Sequence, residues 1–274
     1  MTITLTRRAS KPPRIKSENF EPQVYAVWGP HGSPGKSTIA LNLAFELSQT
    51  KRTLLVDLDL TAPAQALLLG LTEPTPSLTA VARLIRQGRL TSEELQRLSI
   101  QIKHKSSKLR LLPGLPAPSR WQEITEDTVI QLLRIAKLDF ECIVLDLSSS
   151  LEKNLTTAQS PTTRNGATRA ALQQATQVIT VIKNSKGSLQ NYANQFVELQ
   201  NLNKNRMLVI NMAENDKLPS VIKQLTKETV SQKIPRDETS VTLAETQGLP
   251  LAITRRKSPA RIAILNLTHR LLEC

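Results

Sequence analysis

The stretch WGPHGSPGKST, residues 28–38, decides the fold. An apolar run over 24–28 leads into it and helical spacing of apolar residues over 39–47 follows, so it joins a strand to a helix. Its Gly-Lys-Ser end is typical of a phosphate-binding loop, in which backbone N–H groups and a helix N-terminus bind phosphate. We therefore predict that Lys36 contacts the β- and γ-phosphates of a nucleotide and that the Ser37 hydroxyl binds Mg²⁺.

One position departs from the strict phosphate-loop pattern. Pro30 stands six residues before Lys36, where the first glycine is expected. Taken alone, the motif therefore has an alternative interpretation, a turn rich in Gly and Pro that binds nothing. The acidic strand ends described next count against that alternative.

Two strands end in carboxylates. Residues 53–59 indicate a buried strand ending in Asp57 and Asp59, and residues 141–146 indicate an apolar strand ending in Asp146. Strands that alternate with helices form parallel sheets, which bind ligands at the carboxyl ends of the strands. All three aspartates are therefore expected at the edge that carries the phosphate loop. The strand that ends in Asp146 also has the form of a Walker B element, whose carboxylate helps to hold Mg²⁺.

The rest of the chain continues this alternation. Asn211 ends another apolar strand and has an amide suited to the edge of an adenine ring. The pattern predicts helices over 62–71, 78–85, 126–137, 189–202, 239–247 and 258–272, a further helix capped at 91–94, strands over 109–114, 178–182, 206–211 and 232–235, and a polar loop over 152–166. The fold class is therefore α/β.

Length and composition set the domain organisation. A chain of 274 residues is long enough for one well-buried α/β core. Residues 1–22 are rich in Arg and Lys and interrupted by prolines, which predicts a disordered basic tail, so the folded domain is expected over 23–274. The two cysteines form no disulfide framework and no metal-binding spacing, as expected for a cytoplasmic protein.

The net charge of +13 favours a polyanionic neighbour, either nucleic acid or an anionic membrane surface. A basic surface that serves only solubility is the alternative. Two basic stretches stand out, 101–120 and the Arg255-Arg256-Lys257 cluster. The sequence contains no apolar run of about 18 residues, the length that a membrane span needs.

Together these segments resemble a known family, the MinD/ParA class of P-loop ATPases with a deviant Walker A motif. Within that class the chain is most similar to the CpaE/TadZ and septum-site-determining branch. The matching pieces are, in order, GPHGSPGKSTIALNLA, LLVDLDL, LRLLPGLPAPSRW, ECIVLDLSS, LVINMA and IPRDETSVTLAETQGLPL, ending in KSPARIAILNL. The resemblance implies a three-layer sandwich with a mostly parallel sheet and covers about 23–270.

The resemblance also implies binding of ATP and Mg²⁺ and an ATP-dependent, face-to-face homodimer. It places nucleotide contacts on His31, Gly32, Ser33, Pro34, Gly35, Lys36, Ser37 and Thr38, with Asn211 at the adenine and the loop at Pro235 over the base. It places the metal group on Ser37, Asp57 and Asp146. Lys36 and Asp59 take the catalytic positions, and Asp59 orients or deprotonates the attacking water.

Two departures from the family pattern affect the expected activity. The signature lysine that crosses to the partner's nucleotide falls on His31, and a neutral histidine does not supply the same charge. Hydrolysis is therefore expected to be slow. The chain ends at Cys274 without the terminal membrane helix of MinD, so membrane contact by that route is not expected.

The expected function is an ATPase, or an ATP-dependent dimerising switch, that positions cellular machinery. The machinery is a division septum, a pilus assembly site or a chromosome region, reached through a protein partner that the sequence does not identify. One alternative is a degenerate ATP-binding scaffold without hydrolysis, suggested by His31 and Pro30. The other is a basic module that binds DNA nonspecifically.

Overall fold

The computed structural model describes residues 20–32, 34–71, 77–153, 163–214 and 218–273. Within these ranges eight strands form one sheet. The strands are β1 (Gln23–Trp28), β2 (Thr53–Leu58), β3 (Ile100–Ile102), β4 (Leu109–Leu112), β5 (Cys142–Leu147), β6 (Gln177–Lys183), β7 (Arg206–Ala213) and β8 (Val230–Pro235). The helices are α1 (Lys36–Leu47), α2 (Gln65–Leu68), α3 (Leu78–Arg86), α4 (Ser92–Leu98), α5 (Glu126–Ala136), α6 (Gly166–Gln174), α7 (Lys186–Leu202), α8 (Leu218–Thr226), α9 (Glu238–Gln247), α10 (Leu251–Thr254) and α11 (Pro259–Glu273).

The strand order is β3-β4-β2-β5-β1-β6-β7-β8, and the paired strands run parallel except for β3 and β4. The helix after β1 leads to β2, but β5 lies between these two strands. In the register of the sheet, Asp57 of β2 is paired with Asp146 of β5, and Asp146 is paired with Val27 of β1. The strand order therefore brings two of the predicted carboxylates side by side, next to the start of the phosphate loop.

Helices cover both faces of the sheet, as alternation along the strands requires. Val24, Ala26 and Trp28 of β1 pack into one apolar core with residues of α3 to α7. Tyr25 and Val27 point the other way, into a second core with residues of α1, α10 and α11. The predicted three-layer α/β sandwich with a mostly parallel sheet is confirmed.

Most of the predicted elements are present, with ends shifted by a few residues. The helix predicted over 62–71 is wrong at its start, because α2 begins only at Gln65. The N–H groups of Thr61 and Ala62 bond instead to the Asp59 carboxylate, and this local turn competes with helical bonding. The elements β3, α6, α8 and α10 were not predicted.

The basic stretch over 101–120 does not present a uniform row of free cations. Arg110 is half-buried, and its guanidinium donates to the Ser99 hydroxyl at 2.8 Å and to the carbonyls of Gln96 and Ser99. Arg120 pairs with Glu123. Arg110 therefore ties β4 to the end of α4 and is not available to a polyanion.

Part of the predicted tail and loop lies outside the described residues. This applies to 1–19 of the predicted tail and to 154–162 of the predicted polar loop. At the start of the described chain, the Arg52 guanidinium lies 5.2 Å from the ring centre of Phe20. Among the described helices, none combines the length and apolar character needed to cross a membrane.

Candidate functional site

The phosphate loop runs from the end of β1 to the start of α1 and requires glycine at two points of close approach. A Cβ on Gly29 would lie 2.2 Å from the carbonyl oxygen of Val181. Gly35 adopts φ +82°, in the left-handed region, and a Cβ there would lie 2.3 Å from Nδ2 of Asn211. Gly35 also precedes α1 and has no side chain to cap it, which suits a helix start that binds an anion through its first N–H groups.

Asn211 lies against this loop. Its Nδ2 donates a hydrogen bond of 2.8 Å to the carbonyl oxygen of Pro34. Pro235, the last residue of β8, is paired in register with Ala213 of the neighbouring strand β7. Asn211 and Pro235 thus lie at the ends of adjacent strands, and their predicted roles at the adenine stay predictions.

Lys36, the first residue of α1, is almost fully buried beside two polar groups from other strands. Its Nζ donates to the Ser149 hydroxyl at 2.8 Å and lies 3.8 Å from Oδ2 of Asp59. Ser149 follows β5 and Asp59 follows β2, so the lysine joins the phosphate loop to the turns after both strands. The bond between Lys36 and Ser149 was not predicted from the sequence.

Asp59 is held by one of its two oxygens. Its Oδ1 accepts bonds from the N–H groups of Thr61 and Ala62, both at 3.0 Å, from the Thr61 hydroxyl at 2.6 Å and from the Ser148 hydroxyl at 3.0 Å. Burial raises the pKa of Asp59, but the bonds from Thr61 and the charge of Lys36 outweigh it, so the pKa is lowered. Asp59 is therefore ionised at neutral pH, and its Oδ2 faces Lys36.

Asp57 and Asp146, paired in register on β2 and β5, show the opposite behaviour. Burial, followed by repulsion from Asp146, raises the pKa of Asp57 well above its usual value. Burial also raises the pKa of Asp146 to about 6, against hydrogen bonds from Gln65 and Ser37 and the charge of Lys36. Two adjacent buried carboxylates with one nearby ammonium group form an environment that a cation would stabilise.

Gln65, the first residue of α2, was missed in the sequence analysis. It is fully buried, and its Nε2 donates to Oδ2 of Asp146 at 2.7 Å and to the carbonyl oxygen of Ser37 at 3.0 Å. Its backbone N–H donates to Oδ2 of Asp57 at 3.0 Å. No signal in the single sequence marks this residue, because it stands in what reads as an ordinary apolar helix.

Of the other predicted nucleotide contacts, two lie at the outer part of the loop. His31 and Gly32 are exposed, and the His31 carbonyl oxygen accepts a bond of 3.1 Å from Asn191 of α7. Pro34 is buried and Thr38 is half-buried. Ser33 lies outside the described residues.

The residues at this edge fit a nucleotide with magnesium. Asp146 Oδ1 and Gln65 Oε1 are both buried acceptors without a hydrogen-bond donor. In the described ranges, no three or more His, Cys, Asp and Glu side chains form a metal site by themselves. Magnesium suits such an arrangement, since it is usually held by one or two carboxylates together with water and substrate phosphates.

Comparisons with known proteins agree with this geometry. The model of the CobQ/CobB/MinD/ParA nucleotide-binding domain matches residues 25–251. No curated protein sequence matches the chain significantly.

Solved structures share the fold at low sequence identity. A ParA family ATPase from Chlorobium tepidum has 22% identity and a TM-score of 0.75, over 91% of this chain and 99% of that one. The septum site-determining protein MinD from Pyrococcus horikoshii, complexed with Mg-ADP, has 16% identity and a TM-score of 0.72, over 92% and 96% of the two chains. A chain of the MinC:MinD cell division complex from Aquifex aeolicus has 20% identity and a TM-score of 0.69, over 92% and 96%. At these identities the likeness shows the fold alone.

Proposed function

The chain belongs to the CobQ/CobB/MinD/ParA family of nucleotide-binding domains, and from this premise we propose that it is an ATP-dependent switch that positions cellular machinery. In this proposal ATP and Mg²⁺ bind at the phosphate loop and favour a homodimer, and slow hydrolysis reverses the dimer. The sequence pieces quoted above favour the deviant Walker A, CpaE/TadZ-like branch of the family.

A single observation carries the proposal. The Lys36 ammonium group, Asp59 and the Asp57–Asp146 pair come from separate segments of the chain and meet at one edge of the sheet. An ammonium group beside a glycine-rich loop and a free helix N-terminus supplies the positive charge that phosphates require. The neighbouring carboxylates supply the negative charge that a divalent cation requires. Both demands are met at the same edge of the sheet, which a simple strand-to-helix turn would not need.

The likeness to MinD complexed with Mg-ADP supports an adenine nucleotide as the ligand. Ser37 and Asp146 would hold the magnesium ion and its water, with Asp57 beside them. When bound, the ion would neutralise charge on the phosphates. Asn211, at the end of β7 and in contact with the phosphate loop, is placed for a role next to the base.

Asp59 is the proposed residue for the attacking water. Its Oδ1 is saturated by four donors, whereas Oδ2 faces Lys36 and remains open to a water molecule. Because its pKa is lowered, the carboxylate is a weak base at neutral pH. This favours orientation of the water over removal of its proton.

His31 supports a second candidate, an ATP-binding scaffold that does not hydrolyse. The side chain occupies the signature-lysine position and is exposed at the outer part of the loop. Without a lysine there, a partner subunit would receive no fixed positive charge at its nucleotide, and such a charge contributes strongly to phosphoryl transfer. Dimerisation would then respond to ATP binding alone.

The partners are also part of the proposal. The MinC:MinD complex among the similar structures supports a protein partner for this chain. A cleft of about 580 Å³ is lined by Thr239, Ser240 and the run from Thr254 to Pro259, which includes Arg255, Arg256 and Lys257. The three cations of this cleft suit nonspecific contact with DNA phosphates.

The test combines nucleotide binding, turnover and size. We expect the wild type to bind ATP with Mg²⁺, to hydrolyse it slowly and to sediment as a dimer with ATP. Lys36→Ala should weaken ATP binding by about 100-fold or more, because the buried ammonium group is lost. The matched control is Lys103→Ala, which removes an exposed lysine just after β3. This variant should bind ATP as the wild type does. Absence of nucleotide binding by the wild type would overturn the proposal.

Further variants separate the two candidates. A slow ATPase loses turnover in Asp59→Asn while ATP binding is retained. A scaffold shows no turnover in the wild type, with or without DNA, and gains turnover in His31→Lys. DNA binding through the basic cleft should weaken with salt by about 0.9 log unit per log unit of salt for each phosphate contacted. A flat salt response would exclude DNA as the surface.

A further inference from the structure

Gln65 contacts each of the three residues that the sequence assigns to the metal. Its side-chain N–H groups bond to Asp146 and to the Ser37 carbonyl oxygen, and its backbone N–H bonds to Asp57. These three partners come from β5, α1 and β2, so one residue at the start of α2 joins all three segments. Both neighbours of Nε2 are acceptors, which fixes the orientation of the amide and leaves Oε1 on the other side.

The remaining oxygens are unusual. Gln65 Oε1 and Asp146 Oδ1 are both buried, and neither accepts a hydrogen bond from the protein. A buried acceptor without a donor destabilises the folded protein, and native proteins retain few of them. Two such acceptors on side chains that are bonded to each other point to a shared donor from outside the chain.

A hydrated cation is the donor that the chemistry favours. Asp57 and Asp146 concentrate negative charge beside these two oxygens, and the waters of a bound magnesium ion are strong donors. Metal sites are commonly completed by such outer contacts, which orient the ligands.

We propose that Gln65 is a positioning residue for the magnesium ion, whose bound water donates to Gln65 Oε1. This inference rests on the proposed function. The backbone of Gln65 is fixed to Asp57 and its side chain to the metal site. The position of α2 therefore depends on whether magnesium is bound. Gln65 touches neither the phosphates nor the attacking water in this proposal, so it acts through the ion.

The experiment measures the binding of a fluorescent ADP analogue with Mg²⁺ and with EDTA. The ratio of the two affinities is the magnesium increment. Gln65→Met keeps the length of the side chain and removes the amide, and we expect the increment to fall by about 10- to 100-fold while the EDTA affinity stays unchanged. Gln177→Met is the matched control, since Gln177 is a buried glutamine at the opposite end of the sheet on β6. Its increment should equal that of the wild type.

Gln65→Glu distinguishes the acceptor role from a structural role. Glutamate keeps an oxygen acceptor but loses the two N–H donors to Asp146 and Ser37. If the oxygen acts through metal-bound water, the increment of Gln65→Glu is at least that of the wild type. If Gln65 only braces the two segments, Gln65→Glu loses the increment as Gln65→Met does, and the inference is wrong.

The outcomes separate this inference from the proposed function. A wild type that binds no nucleotide overturns both. A wild type with a magnesium increment that Gln65→Met retains overturns the inference alone. Circular dichroism and thermal unfolding show whether each variant is folded, and if Gln65→Glu does not fold, the comparison of Gln65→Met with Gln177→Met still decides.

Discussion

Two clusters built around charged side chains in this molecule are organised in opposite ways. The site cluster consists of Lys36, Asp57, Asp59 and Asp146, at the carboxyl ends of the central strands. The brace cluster, at the start of β7, consists of Tyr192, Phe196, Arg206 and Glu228. In the brace cluster, Glu228 accepts bonds from the Tyr192 hydroxyl and from the Arg206 guanidinium, which also lies 5.6 Å from the ring centre of Phe196.

The difference lies in charge balance and in hydrogen bonding. The brace cluster pairs one carboxylate with one guanidinium, and its described polar atoms are bonded. The site cluster sets three carboxylates against one ammonium group and leaves Asp146 Oδ1 without a donor. A cluster that only stabilises the fold is expected to be balanced, whereas unbalanced buried charge is typical of a binding site. The comparison predicts opposite effects on stability when each cluster is neutralised.

Removing the cation of the brace cluster should cost the most stability. In Arg206→Met, the half-buried Glu228 carboxylate loses its partner, and we expect the free energy of unfolding to fall by about 3 kcal/mol. Urea unfolding measures this change, and nucleotide affinity should be unaffected because the cluster lies at the far end of the sheet. The double variant Arg206→Met with Glu228→Leu should regain more than half of the loss. A single variant as stable as the wild type would contradict the contrast between the clusters.

Removing a negative charge from the site cluster should instead increase the free energy of unfolding. The pKa of Asp146 is raised from 3.8 to about 6 on folding, so the folded protein keeps its proton to higher pH than the unfolded chain. This carboxylate therefore lowers stability as pH rises from about 4 to about 6, and the full penalty remains at neutral pH. We expect Asp146→Asn to raise the free energy of unfolding at neutral pH by about 2–3 kcal/mol in EDTA, with the gain vanishing near pH 4.

The same variant should bind nucleotide without a magnesium increment, which links the stability penalty to function. Asp127→Asn, an exposed residue in the first turn of α5, controls for the loss of one acidic charge. A loss of stability in Asp146→Asn at neutral pH would show that this carboxylate is a structural residue.

The smallest predicted change in stability concerns Asp237, a carboxylate that stabilises the folded protein at neutral pH. Burial raises its pKa, but the hydroxyls of Ser258 and Ser240 outweigh burial and lower it. Its stabilising contribution is therefore present above pH 3.8 and is lost as pH falls through the lower pKa of the folded protein. Asp237→Asn keeps the cap of α9, so we expect a loss below about 1 kcal/mol at neutral pH. Thermal unfolding over a pH series measures it, and a gain at neutral pH would contradict the assignment.

Much of the site could be predicted from the sequence because a local pattern marks each of its segments. The phosphate loop and the aspartates at 57, 59 and 146 were placed at one edge of the sheet from strand–helix alternation alone. Gln65 and the bond between Lys36 and Ser149 were not predicted. These contacts join residues 81 and 113 positions apart, and nothing in the local pattern of either partner specifies the other.

The sequence by itself determined the alternation of the main strands and helices, the phosphate loop between β1 and α1 and the edge of the sheet at which the acidic side chains gather. Spacing of apolar residues and the geometry of parallel sheets suffice for these, since both act over short stretches of chain. The tertiary structure alone decided that β5 lies between β1 and β2, that Gln65 enters the acidic pair and that the pKa values of Asp59 and Asp146 move in opposite directions. Burial and hydrogen bonding set those properties, and both depend on which distant segments pack around a side chain.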